Sequence, residues 1–117
     1  MQTAKYYTWK RWSTCKKVKV ELSQKFDLEE RDFFLEPFNK AELKMILGDT
    51  PANEIFSWRS PSAKDFRSAK DQLDNDDLID LMLNEPKLIR RPLILAYGRL
   101  ILGSDKNSLN TLLSPKG

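Results

Sequence analysis

The chain has 117 residues, enough for one domain around one modest core. Hydrophobic residues make up 40% and charged residues 32%, the balance of a folded globular chain and not of a disordered one. There is no histidine and one cysteine, which excludes Ser–His and Cys–His nucleophile pairs, histidine or cysteine-rich metal sites and any intrachain disulfide. The net charge of +3 arises from 20 basic and 17 acidic residues and leaves no nucleic-acid footprint, so no direct nucleic-acid binding is expected. No apolar run approaches the ~20 residues of a membrane helix. The start, Met-Gln-Thr-Ala-Lys, lacks the apolar core of a signal peptide, so a cytoplasmic location is expected.

In chain order, residues 4–9 predict a first strand, carried by the aromatic and β-branched run Tyr6 to Trp9. A helix over 13–25 follows, capped by Ser13 or Thr14, with Cys15, Val18 and Leu22 at helical spacing. Leu28 to Phe34 predicts a second strand, and strand–helix–strand over about 30 residues predicts a parallel βαβ unit. Asn39 with Glu42 forms a capping box for a helix carrying Leu43, Ile46 and Leu47 and ending at Gly48. Short helices are expected at 51–56 and 61–69. A longer one, capped by Asp76 or Asp77, buries Leu78, Ile79, Met82 and Leu83 and stops before Pro86. Leu93 to Leu95 predicts a central strand, Tyr97-Gly98 a turn, Arg99 to Leu102 its hairpin partner, and Gly103-Ser104-Asp105 opens a last helix through Leu109, Leu112 and Leu113. The order is βαβ, a helical block over about 39–90, then ββα. This is a single thioredoxin-like α/β domain with a mixed four-stranded sheet and a helical insert.

Chemistry concentrates in Tyr6 to Val20. Strand, loop and helix N-terminus aim free backbone N–H groups and a positive dipole end at the loop. Cys15 lies one turn into that helix among Lys10, Arg11, Lys16 and Lys17, a setting in which a thiol ionises more readily than a free one. Cys15 reads either as such a reactive thiol or as a small core residue beside Val18 and Leu22. The four cations, and the run Glu29-Glu30-Arg31-Asp32, read as solvated, ion-paired faces.

Four stretches in this order resemble the ArsC/Spx family of arsenate-reductase-like proteins with the thioredoxin fold. They are Ser13-Thr14-Cys15-Lys16-Lys17; Glu30-Arg31-Asp32-Phe33-Phe34 with Glu36-Pro37; Arg59-Ser60; and Asn84-Glu85-Pro86-Lys87-Leu88-Ile89-Arg90-Arg91-Pro92. The resemblance implies a reactive cysteine in the loop before the first helix, often as C-x-x-C. Here Trp12 holds that place and Cys15 matches the second cysteine. It implies that Arg59 and Arg91 are oxyanion-contacting arginines, joined at the helix N-terminus by Ser13 and Thr14. The third arginine of the reductases falls near Gly103, where the Spx-like branch also has glycine, and Arg90-Arg91-Pro92 resembles that branch more closely. It further implies a cis Arg91–Pro92 bond.

Two functions follow as expectations. One is a non-catalytic interaction or regulatory protein without cofactor, of which Spx-like transcription control through RNA polymerase is the most concrete form, with a vestigial oxyanion site at Arg91. Its rival is an arsenate-reductase-like thiol oxidoreductase using Cys15 with glutathione or glutaredoxin. Trp12 either serves as a partner-binding aromatic or plugs the old pocket, where its indole could stack on an arginine.

Overall fold

The computed structural model of the chain describes residues 2–9, 13–103 and 105–113. Strand β1, Gln2–Thr8, buries Tyr6, Tyr7 and Thr8 in succession, so at that end both of its faces are covered, as suits an interior strand. It lies inside a four-stranded sheet of order β2-β1-β3-β4, with β2 at Phe26–Asp32, β3 at Leu93–Ala96 and β4 at Arg99–Leu102. Strand β2 runs parallel to β1 in the register Gln2↔Phe26 to Thr8↔Asp32, joined to it through helix α1, Ser13–Ser23. Strand β3 is antiparallel to both of its neighbours, which makes the sheet mixed, as expected.

Two compact units are distinguished. The first, Met1–Glu36 with Arg91–Gly117, holds the sheet. Its core joins Tyr6, Val18, Leu22, Phe26, Ile94, Leu109 and Leu112, the last two from a C-terminal helix, Lys106–Leu113. Val18 and Leu22 share one helical face, while Lys16, Lys17 and Lys19 stand exposed.

Strand β2 starts and ends two residues earlier than the aromatic pattern predicts. Asp32 ends it: its Oδ1 accepts the Phe34 N–H at 2.9 Å and the Leu35 N–H at 3.3 Å, and its carbonyl accepts from Glu36 at 2.9 Å. This local turn chemistry outcompetes the strand propensity of Phe33 and Phe34. Asp32 is consequently buried, which corrects the reading of 29–32 as a wholly solvated run; Glu30 does pair with Lys19, and Arg31 Nε donates to the Glu36 carbonyl at 3.0 Å. In the hairpin, Tyr97 and Gly98 have φ of 53° and 71°, the two positive values a type I′ loop needs. Tyr97 accepts this at the turn while its ring meets Phe26 edge-on at 5.6 Å.

The second unit, Pro37–Arg90, is helical. Helix α2, Lys40–Leu47, carries the expected capping box: Asn39 Oδ1 accepts from Glu42 N at 2.8 Å and Glu42 Oε1 accepts from Asn39 N at 3.1 Å. Gly48, at φ 54°, ends it. A single turn, α3 (Ala52–Ile55), replaces the helix expected over 51–56. Residues 61–72 form a 3-10 helix, longer and tighter than the helix expected at 61–69. Ala63 is buried and Phe66 and Ala69 half-buried, and this spacing of three matches the three residues per turn of that helix. Helix α4, Asn75–Asn84, is capped by Asp74 and not by Asp76 or Asp77; Asp77 instead closes a second capping box three residues on. Leu78, Ile79 and Met82 are buried, Leu83 only half so. The Asp80 carboxylate, 3.1 Å from Lys40 Nζ, holds that ammonium above the usual lysine value, first by the hydrogen bond and then by its charge.

Candidate functional site

The parallel register brings the C-terminal ends of β1 and β2 side by side, so the residues that follow them become neighbours. Phe33 N–H donates to the Thr8 carbonyl at 3.2 Å, and the Asp32 turn then lays Phe34 on Trp9, ring centres 4.5 Å apart and planes at 17°. Phe33 backs Phe34 at 5.1 Å. Arg91 enters this corner from the other side of β1, at the foot of β3. Its guanidinium carbon lies 5.0 Å from the Trp9 ring centre and 5.3 Å from that of Phe34, and its Nε is buried. The Arg91–Pro92 bond is cis, as expected.

Trp9 directly precedes Lys10, Arg11 and Trp12 in the sequence. Those three residues, and with them the expectations for Trp12 and for the approach of Arg91 to positions 10–14, lie outside the described residues. Helix α1 begins at Ser13, so Ser13, Thr14 and Cys15 contribute its first-turn amides, which have no intrahelical acceptor. Their side chains lie outside the described residues. The aromatic partners of Arg91 are Trp9 and Phe34, which sequence reasoning assigned to strands. The signal that could have found them was the parallel pairing itself, which aligns the residues after Thr8 with those after Asp32.

Arg59 belongs to the helical unit and is exposed. The backbone that carries it is braced: Arg67 donates to the carbonyls of Trp58 at 2.6 Å, Arg59 at 3.2 Å and Ser60 at 3.0 Å. Trp58 in turn donates through Nε1 to Asn53 at 3.2 Å and carries Lys70 over its ring at 5.2 Å.

Gly103, which faces the foot of β3, explains why no third arginine stands there. Its N–H donates to the Pro92 carbonyl at 2.8 Å. A Cβ on it would come within 2.9 Å of Pro92 Cδ and closer still to Cγ, so the position admits no side chain without moving the proline ring.

Among the described residues, the corner offers the Arg91 guanidinium, set against two aromatic rings. Among the described residues no group of three or more acidic or thiol side chains is placed to hold a metal. Among them also, no helix is long and apolar enough to cross a membrane.

Comparison with known proteins agrees with this architecture. The model of the ArsC family matches residues 7–112. The regulatory protein MgsR of Bacillus subtilis is 28% identical over 98% of this chain and 94% of its own length. The global transcriptional regulator Spx of Enterococcus faecalis is 31% identical over 92% of this chain and 83% of its own. The arsenate reductase from Vibrio cholerae superposes with a TM-score of 0.78 at 20% identity, covering 96% of each chain, which shows a common fold. With the family model matching residues 7–112, nearly its whole length, the chain belongs to the ArsC family.

Proposed function

We propose that this protein is a non-catalytic regulator of the ArsC/Spx type, working in the cytoplasm by binding a protein partner. Transcription control through RNA polymerase is its most concrete form. The observation that carries the proposal is the state of the old reductase corner. The Arg91 guanidinium carbon lies 5.0 Å from the Trp9 ring centre and 5.3 Å from that of Phe34, and the third cationic position is the sterically closed Gly103. Trp12, in the sequence position of the family's loop cysteine, has no nucleophilic atom. The names of two relatives, a regulatory protein and a global transcriptional regulator, support the same reading.

What remains in this proposal is a weak oxyanion site made by Arg91 and the first-turn amides at Ser13 and Thr14. Cofactors play no part in it. The enzyme reading, with Cys15 as nucleophile and glutathione as co-substrate, keeps one feature in its favour, the position of Cys15 in the first turn of α1.

The deciding experiment is reconstituted transcription with purified bacterial RNA polymerase and this protein, followed by affinity capture of the two. Altered promoter output with co-elution is expected. Unaltered transcription and no co-elution, together with thiol-dependent arsenate turnover lost in Cys15→Ser, would replace the regulator by the enzyme.

A further inference from the structure

Strand β4 ends the sheet, and the register of its hairpin decides what it shows outward. A two-residue loop at Tyr97-Gly98 makes Ala96↔Arg99 the closing hydrogen-bonded pair, and Ile94↔Ile101 the next. Leu100 and Leu102, in the alternate pairs, therefore turn their backbone groups away from β3. The Leu102 carbonyl is taken by Asp105 N–H at 3.1 Å. Among the described residues, no strand pairs with the outward-facing Leu100 N–H, Leu100 carbonyl and Leu102 N–H, a spacing that matches one added strand.

Beside this edge runs a groove of about 520 Å³, lined by Ala96, Tyr97, Leu100, Ile101 and Leu112 with Ser108, Thr111 and Arg99. Both hydroxyls already donate within the C-terminal helix, Ser108 to Asp105 at 2.9 Å and Thr111 to the Asn107 carbonyl at 2.9 Å, so the groove presents them as acceptors. Exposed Arg99 is the one charged side chain of the lining. Lys25 Nζ donates to the carbonyl of Leu112, one of the lining residues, at 2.7 Å. The groove is thus apolar within, cationic at its rim and bordered by an open strand edge. It sits at the turn end of β3, away from Arg91 at the other end of that strand.

We propose that the β4 edge and this groove form a docking site for an extended acidic segment of a protein partner. The segment adds as a short strand beside Leu100 and Leu102, seats one aliphatic side chain in the groove and pairs a carboxylate with Arg99. Backbone pairing supplies the affinity and Arg99 the sign of charge that is accepted. The site lies at the opposite end of β3 from the Arg91 corner.

The probe is a seven-residue capped peptide alternating valine and glutamate, titrated into the intact protein and followed by amide NMR. Three comparisons accompany it: the same peptide with lysine for glutamate, an N-methylated version that cannot pair through its backbone, and the Arg99→Glu protein. Expected are saturating shifts at Leu100, Leu102 and Arg99 below millimolar peptide, at least tenfold weaker binding of the lysine and N-methylated peptides, and a reversed preference in Arg99→Glu. No shifts at millimolar peptide, or equal binding of the N-methylated form, would overturn the proposal. A concentration-dependent dimer in sedimentation, whose interface maps to Leu100 and Leu102 amides, would assign the edge to a second copy and overturn it equally.

Discussion

The Arg91 guanidinium carbon lies 5.0 Å from the centre of the Trp9 ring, in a corner where family likeness leads one to expect an oxyanion. Guanidinium on indole is worth about 0.5–2 kcal/mol depending on how far it is desolvated, and here Nε is buried. Arg91→Ala is therefore expected to destabilise the protein by about 1–2 kcal/mol, and Arg91→Lys by less, because an ammonium keeps the charge but loses the planar stack. Urea denaturation checks this. An unchanged midpoint in Arg91→Ala would show that the stack contributes nothing.

Sulfate should bind weakly at the same corner, with Arg91 mattering more than Arg59. Titration followed through the amides of Ser13 to Cys15 is expected to give small saturating shifts at tens of millimolar, weakened in Arg91→Ala and little altered in Arg59→Ala. Shifts of equal size in Arg91→Ala would remove the guanidinium from the site.

Gly103→Ala should cost about 1–3 kcal/mol, as overpacking does in a close-packed region, because the added methyl meets the Pro92 ring and carbonyl. By the same geometry, Gly103→Arg should damage the fold without conferring reductase activity. A thermal shift assay on Gly103→Ala that showed no loss would mean the proline corner yields easily.

Arsenate turnover with glutathione or glutaredoxin should stay at background, and Cys15→Ser should leave that background unchanged. With one cysteine in the chain, oxidation should yield only a mixed disulfide or a disulfide-linked dimer, both visible by intact mass. Turnover that disappears in Cys15→Ser would establish chemistry at this thiol.

The elements legible in the chain were those set by short-range rules. The Asn39–Glu42 box, the Gly48 stop and the Tyr97-Gly98 turn all follow from side chains a few residues apart. Errors arose where two local signals competed. Phe33 and Phe34 look like strand, yet the Asp32 carboxylate captures the next amides and turns the chain. Asp76 and Asp77 look like caps, yet Asp74 forms the box because it stands three residues before Asp77. At the corner, the expectation for Arg91 comes from family likeness. Its contact with Trp9 does not, since it depends on a register between strands that no single segment encodes.

The interior position of β1 also bears on how the protein is made. Tyr6 pairs with Glu30 on one side and with Ile94 on the other. A nascent chain can form the first pairing early but must synthesise residues 37–90 before the second partner exists. At about 5–20 residues per second this takes roughly 3–11 s. Throughout that interval the β3-facing edge of β1, with Tyr6 and Tyr7 on it, has no native partner on the ribosome. Stalling or truncation before Leu93 should thus yield aggregating fragments that chaperones must hold, whereas loss of the last helix would strike after the sheet has closed.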